Sequence, residues 1–65
     1  MTSMIKIAVD AMGGDNSPEK IIKGIIHHHK NNSDVFYKIF GNKDKITPII
    51  NDKINRVNYE VVNTL

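Results

Sequence analysis

Cysteine and tryptophan are absent from this chain of 65 residues, and only two phenylalanines and two tyrosines supply its aromatic side chains. Without cysteine, the chain can form neither a disulfide framework nor a zinc site of the cysteine type. No apolar run approaches the roughly 20 residues that span a membrane. The first apolar run is short and is interrupted by Lys6, which is not typical of a secretory signal peptide. We therefore expect neither a transmembrane segment nor a signal peptide.

A strong excess of charge of one sign is also missing. The formal net charge is +2, from nine basic and seven acidic side chains. The lysines are spread along the chain, and no aromatic side chain is interleaved with a basic run. This distribution is typical of a solvated surface rather than of a nucleic-acid interface. We expect no nucleic-acid partner, and the lack of cysteine suits a reducing, cytoplasmic location.

The spacing of apolar residues predicts a β-α-β-α-β order. Strands are expected at residues 4–10, 35–40 and 56–63, and a first helix at about 18–30. A short second helix contains Ile46, Ile49 and Ile50, and Pro48 is expected in its first turn or at a kink. Asn42 or Asp44 is expected to cap that helix. Short connections through helices imply parallel strands and right-handed crossovers, so the predicted fold class is α/β.

The length of the chain limits how completely such a sheet can be covered. A chain of this size buries only about 60% of the surface that its unfolded form exposes. The first strand is apolar on both faces, which is typical of a strand that is covered on both sides. Two helices can cover one face of three strands well, but hardly both. We therefore treat residues 1–65 as a single, partial α/β domain that is not expected to be a stable monomer.

The turn between the first strand and the first helix is the most informative stretch. It reads VDAMGGDNSP over residues 9–18. Asp10 ends the strand, and ligands of open parallel sheets bind where strands end and helices begin. Gly13 and Gly14 permit backbone angles that side chains forbid, and they allow a ligand to approach the main chain closely. The sequence therefore predicts substrate-binding residues at this turn, without assigning a catalytic role: Asp10, Gly13, Gly14, Asp15 and Asn16.

Several interpretations of the two acids in this turn stay open. Glycine amides and a helix N-terminus favour a phosphate site, but Asp10 and Asp15 bring negative charge to the place where an anion would lie. The glycines also lack the spacing of the dinucleotide and P-loop motifs. Either a cation offsets the acids, or they bind hydroxyl or amide groups, or they accept hydrogen bonds from loop amides and only shape the turn.

Three consecutive histidines, His27, His28 and His29, raise the question of a metal site. Consecutive residues of a helix point roughly 100° apart, so the three side chains cannot converge on one ion. We predict no metal site and no cofactor. The expected place for these histidines is a hydrated last turn, where positive charge favours the helix C-terminus.

Two stretches of the chain resemble one bacterial enzyme family. Residues 7–18, IAVDAMGGDNSP, are similar to the amino-terminal signature of the phosphate acyltransferases of phospholipid synthesis, the PlsX family. Residues 40–48, FGNKDKITP, resemble the second strand of that family and the helix after it. The spacing between the two stretches also agrees, and the resemblance covers essentially the whole chain.

The resemblance implies a fold akin to the isocitrate and isopropylmalate dehydrogenases. It also implies the transfer of a fatty acyl group from acyl carrier protein to inorganic phosphate, giving acyl phosphate. The enzyme would chiefly position the reactants and stabilise the oxyanion. The full-length family is expected to form homodimers, and peripheral association with a membrane stays open. Because the family's enzymes are several times longer, we expect an incomplete, inactive chain. The alternative is a non-enzymatic α/β module that binds a ligand or a partner chain.

Overall fold

Strands and helices alternate along the chain in the predicted order. The computed structural model describes residues 4–12 and 18–64. The strands are β1 (Ile5–Asp10), β2 (Val35–Gly41) and β3 (Tyr59–Asn63). The helices are α1 (Pro18–Asn31) and α2 (Lys43–Ile50), and a short 3₁₀ helix, Arg56–Asn58, precedes β3. The predicted α/β fold class is confirmed, whereas the resemblance to the dehydrogenase fold stays a prediction.

The three strands form one parallel sheet in the order β1-β2-β3. Ile5 of β1 pairs with Val35, and Tyr37 of β2 pairs with Tyr59. Successive strands are added in one direction, and right-handed crossovers then place both connecting helices on the same face of the sheet. Contacts between α1 and α2 agree with this arrangement.

The hydrophobic core lies between the two helices and this face of the sheet. Alternate residues of β2 are buried there, as the two-residue period of a strand requires. Isoleucines spaced three or four residues apart on each helix meet them. The buried members are Ala11, Ile22, Ile25, Val35, Tyr37, Ile39, Ile46, Ile50 and Ile54.

The opposite face of the sheet is uncovered in the part of the chain that the structure describes. The residues that alternate with the buried ones share this face, which carries Lys6, Ala8, Phe36, Lys38, Phe40, Glu60 and Val62. Ala8 is exposed, and Phe36 and Phe40 are half-buried. The Nζ atom of Lys38 lies 5.9 Å from the ring centroid of Phe40. The coverage expected for both sides of β1 is therefore found on one side only.

The third strand begins three residues later than predicted. The side chain of Asn55 accepts a hydrogen bond from the Val57 amide at 3.2 Å and caps the 3₁₀ helix. Such a local bond competes with strand pairing. Val57, which falls within the predicted strand range 56–63, is therefore 67% exposed on the short helix.

The position of Pro48 also differs from the first of its two predicted places. Of the two predicted caps of α2, Asn42 is the one observed, because its Oδ1 atom accepts a hydrogen bond from the Asp44 amide at 3.0 Å. The helix begins at Lys43, so Pro48 lies inside it, beyond the first turn. The first-turn alternative is wrong, and the helix ends at Ile50, soon after the proline.

Asn58 joins two loops at the end of the sheet opposite the candidate site. It is 6% exposed, and its Nδ2 group donates to the carbonyl oxygens of Ser33 and Val35, each at 3.1 Å. These bonds connect the entrance of β3 to the entrance of β2, over a separation of more than 20 residues. Buried polar groups need such partners, because an unpaired one loses its hydration without compensation.

We expect Asn58→Ala to lower the free energy of unfolding by about 1–3 kcal/mol, because two buried carbonyl groups lose their donor. The measurement is urea unfolding in the presence of an osmolyte that is excluded from the protein surface and therefore favours the folded state. Asn31→Ala, on an exposed residue at the end of α1, is the matched control and should change stability by less than about 0.5 kcal/mol. Equal effects of the two substitutions would contradict the bridging role.

Candidate functional site

The candidate site lies at the edge of the sheet where the parallel strands end. Asp10 and Gly41 are the last residues of β1 and β2, and a connection to a helix follows each of them. Two strand-to-helix turns therefore start side by side at this edge. The hydrogen bonds of the second turn, whose residues are all described, show whether that turn is available to a ligand.

Asp10 is the one predicted site residue that the structure describes. It is exposed at the end of β1, and its Oδ1 atom accepts a hydrogen bond from the Met12 amide at 3.0 Å. This bond forms a local turn of the kind that aspartate favours. The interpretation in which the acid shapes the turn thus holds for one carboxylate oxygen. The bond does not require the second oxygen, so a ligand contact is compatible with it.

Four of the predicted site residues lie outside the described residues: Gly13, Gly14, Asp15 and Asn16. The described chain resumes at Pro18, the first residue of α1, which agrees with the predicted start of that helix. The binding role of these residues stays a prediction.

The start of the same turn is attached to the end of β2. Ala11 is fully buried, and its amide donates to the Phe40 carbonyl at 2.9 Å. Met12 follows and is 42% exposed. A Cβ atom built on Gly41 would lie 2.8 Å from the Cγ atom of Met12. This hydrogen bond and the packing of Met12 therefore hold the start of the first turn against the end of β2.

The second strand-to-helix turn is closed by hydrogen bonds to one of its own side chains and to a side chain of β3. The Lys43 amide donates to Oδ1 of Asn63 and the Asp44 amide to Oδ1 of Asn42, each at 3.0 Å. The next two amides, of Lys45 and Ile46, donate to the Asn42 carbonyl. A helix N-terminus binds anions through amides that lack a partner. The first turn of α2 has none to offer, which leaves the β1–α1 turn as the candidate site.

Asn63 was not singled out as a functional or structural residue by sequence reasoning. It ends β3, 20 residues after the amide that it caps. A polar side chain at the carboxyl end of a parallel strand was the one available signal. In this chain, that signal marks a residue that completes α2.

The histidines of α1 contact a buried tyrosine. Nδ1 of His28 lies 2.7 Å from the Tyr37 hydroxyl group, and the rings of His28 and His29 meet the Tyr37 ring edge-on. His29 is half-buried, and its Nδ1 atom is buried without a hydrogen-bond partner among the described residues. A hydrated last turn is therefore the wrong description for His29 and an incomplete one for His28.

Two further properties concern the described residues as a whole. Within residues 4–12 and 18–64, no group of three histidine, cysteine or acidic side chains is arranged to hold a metal ion. In the same ranges, neither helix has the length and apolar character needed to cross a membrane.

Comparison with known proteins identifies the family. The family model described as "Fatty acid synthesis protein" matches residues 5–64 of this chain. The chain belongs to this family, the PlsX family of the predicted resemblance. A phosphate acyltransferase of Pelagibacter ubique is 56% identical over 98% of the chain, and one of Pediococcus pentosaceus is 50% identical over 74%. One of Limosilactobacillus reuteri is 46% identical over 82%.

These PlsX relatives are much longer than the chain. The matched segment makes up 19% of the Pelagibacter ubique protein, 14% of the Pediococcus pentosaceus protein and 16% of the Limosilactobacillus reuteri protein. The chain thus spans less than one fifth of the length of the curated relatives that it matches.

We expect stability to fall at high pH because of Tyr37. Burial, with a smaller contribution from the charge of Asp34, raises the pKa of the Tyr37 hydroxyl above its ordinary value of 10.0. The folded state then binds the phenolic proton more tightly than the unfolded state. Its contribution to stability is complete below pH 10 and is lost as the pH rises through the raised pKa.

The measurement is urea unfolding of the parent and of Tyr37→Phe at pH 8 to 11, in the same stabilising osmolyte, with phenolate absorbance recorded in parallel. Tyr37→Phe should lose less stability than the parent over this range. Tyr59→Phe is the control and should follow the parent. A Tyr37→Phe profile as steep as that of the parent would show that this phenol does not govern the decrease.

Proposed function

We propose that the chain supplies the amino-terminal segment of a phosphate acyltransferase, which transfers a fatty acyl group from acyl carrier protein to inorganic phosphate for phospholipid synthesis. The observation that supports this proposal is the 56% identity to the Pelagibacter ubique enzyme over 98% of the chain. In the proposed reaction, a phosphate oxygen attacks the thioester carbonyl carbon. A carbon–oxygen bond forms, the carbon–sulfur bond breaks, and the thiolate of the carrier leaves. The products are acyl phosphate and free carrier protein.

The proposed substrate-binding turn is the one between β1 and α1, with Asp10, Gly13, Gly14, Asp15 and Asn16. Two observations support it. The turn starts at the carboxyl edge of a parallel sheet, where ligands of such sheets bind. The neighbouring turn has its amides bound by Asn42 and Asn63, so it is a poor place for a second ligand contact.

The chemistry of Asp10 limits what it can do in this site. A carboxylate repels phosphate directly, so Asp10 would contact the hydroxyl or amide groups of a substrate, or a cation that accompanies phosphate. Its Oδ1 atom already holds the Met12 amide. Thioester attack also needs donors for the oxyanion, and one turn cannot hold phosphate, thioester and oxyanion donors together. The catalytic residues are therefore proposed to lie in sequence beyond this segment.

The remaining parts of the proposal concern the setting of the enzyme. Residues 1–65 form one part of a larger domain, whose other elements cover the uncovered face of the sheet. The whole enzyme acts in the cytoplasm as a homodimer, needs no cofactor, and takes its acyl group from acyl carrier protein. The half-buried apolar side chains Phe36, Phe40 and Val62 on the uncovered face support a covering partner, because removing their remaining apolar surface from water is favourable.

A second candidate function is a non-enzymatic module that assembles with a second copy of the chain. The uncovered face favours it, because Lys38 and Glu60 lie side by side there in register. A twofold axis close to this pair would place each lysine near the glutamate of the other copy. Surfaces of this self-complementary kind are typical of twofold dimers.

We expect the 65-residue chain alone to form no acyl phosphate and no stable monomer. A chain of this size buries only about 60% of the surface that its unfolded form exposes, and the core of the described residues lies on one face of the sheet alone. The measurements are circular dichroism, sedimentation, and phosphate-dependent loss of the carrier thioester. A cooperative melt of a monomer would contradict the expected lack of a stable monomer. Thioester loss above background would contradict the expected lack of activity.

Ala8→Glu, on the uncovered face of the sheet, distinguishes coverage by the rest of a larger domain from coverage by a second copy of the chain. Val57→Glu, on an exposed residue away from that face, is the matched control. A chimaera in which the chain replaces the matching segment of the Pelagibacter ubique enzyme should melt lower with Ala8→Glu, because a charge becomes buried. Val57→Glu should leave the melting temperature unchanged. If the chain alone sediments as a dimer that Ala8→Glu dissociates, the second candidate function is supported instead.

Asp10→Asn and Asp10→Ala separate binding from bracing in the same chimaera. Asn keeps an oxygen for the Met12 amide but removes the charge, whereas Ala removes both. If the carboxylate contacts substrate, both variants should lower turnover about tenfold or more, the loss expected for a hydrogen bond to a charged group. Acyl-phosphate formation and melting temperature are measured for each. Normal turnover of Asp10→Asn would show that the acid only braces the turn.

A further inference from the structure

We propose that the outer side of α1 docks an acidic surface of the protein that delivers the acyl group. This side carries Lys20, Lys23 and Lys30, which form the lysine stripe. The inference rests on the proposed function, because it concerns how the carrier protein of that reaction is recognised. The stripe itself lies on the helix, outside both strand-to-helix turns.

The stripe lies on the side of α1 that faces away from the core. Successive residues of an α-helix are about 100° apart, so the three lysines fall within an arc of about 80°. Ile22 and Ile25, the buried residues of α1, lie on the opposite side. All three lysines are exposed, and the exposed His27 lies within the same arc. Folding thus aligns lysines that are separated along the sequence.

The net charge of the whole chain is concentrated on α1. Nine basic and seven acidic side chains give the formal net charge of +2. α1 holds three of these basic side chains, the lysine stripe, and one of the acidic ones, Glu19. The charges of the remaining chain therefore balance. Glu19 lies 3.2 Å from Nζ of Lys23, but the two side chains are 61% and 69% exposed. Such a pair contributes little, so Lys23 can exchange it for a carboxylate of a partner.

The length of the stripe indicates a macromolecular partner. Lys20 and Lys30 are about 15 Å apart along the helix, at about 1.5 Å per residue. A phosphate ion would reach one end of the stripe, whereas an acidic protein surface can face all of it. Insertion into a bilayer would need an exposed apolar side, but Ile22 and Ile25 are buried against the sheet. Charge complementarity therefore favours an acidic protein over a lipid surface.

The stripe begins at the edge of the sheet that carries the candidate site. A helix that connects parallel strands runs antiparallel to them, so α1 starts at the carboxyl edge, where Asp10 ends β1. The contact of His28 with Tyr37, near the start of β2, agrees with this direction. Lys20 lies in the first turn of α1. A carrier docked along the stripe thus has one end at the edge where its thioester is proposed to react.

The test uses the chimaera described above, with inorganic phosphate and acyl carrier protein thioester as substrates. The stripe variant combines Lys20→Gln, Lys23→Gln and Lys30→Gln, because glutamine keeps a high helix propensity without the charge. Its KM for the carrier thioester should rise about tenfold at low salt, as expected when several exposed charge pairs are lost. Its KM for phosphate should not change. Added salt should raise the parent's KM for the carrier and change that of the variant little.

Two controls isolate docking from other effects of charge. The control variant combines Lys45→Gln, Lys53→Gln and Arg56→Gln, which removes the same charge from exposed residues outside α1, and should keep the parent's KM values. The second control is a small substrate, the acyl thioester of N-acetylcysteamine, whose KM should be equal in all three chimaeras. An equal rise in the control variant, or a rise for the small thioester, would overturn the docking role.

Vesicles of phosphatidylglycerol test the lipid alternative by co-sedimentation with the same three chimaeras. If the stripe variant alone loses vesicle binding while its KM for the carrier is unchanged, the stripe recognises anionic lipid and the inference is wrong. A raised KM with the vesicle binding of the control variant supports the inference. A parent chimaera that forms no acyl phosphate would overturn the proposed function. Unchanged KM values in an active stripe variant would overturn this inference alone.

Discussion

The pairing of β2 on both of its edges is the constraint on which the rest of the structure depends. β1 and β3 each use one edge, and the buried face of β2 carries the residues that both helices contact. The ends of β2 are used as well. Asn58 binds the Val35 carbonyl at one end, and the amides of Ala11 and Thr64 bind the carbonyls of Phe40 and Gly41 at the other. β2 thus fixes the positions of loops that are distant from one another in sequence.

Much of this architecture could be predicted from the sequence, because it depends on local periodicity. The mainly apolar run at residues 35–40 and the isoleucine spacing of the helices indicated the element types and most of their bounds. The start of β3 was missed because a side chain, Asn55, captures a backbone amide there. The contacts of Asn58 and Asn63 join residues 20 or more apart. They follow from strand register, which no local pattern expresses.

For the candidate site too, local features could be predicted from the sequence, whereas contacts between distant residues could not. The sequence located the turn after β1 and its acid, and the structure places Asp10 at the carboxyl edge of the sheet, as predicted. It could not indicate that the neighbouring turn is closed, because this depends on Asn63 reaching the amide of Lys43. Nor could it relate Gly41 to Met12, since they meet only when β1 and β2 pair in parallel.

The bond between Asn63 and the Lys43 amide has a consequence for the order of events during synthesis. The ribosome releases α2 before β3, so the helix emerges while one of its first amides still lacks its final acceptor. Water must hydrate that amide until the last residue of β3 arrives. The amino-terminal turn of α2 therefore reaches its final state only when the third strand docks. In this sheet, the completion of a helix is delayed until a later strand has left the ribosome.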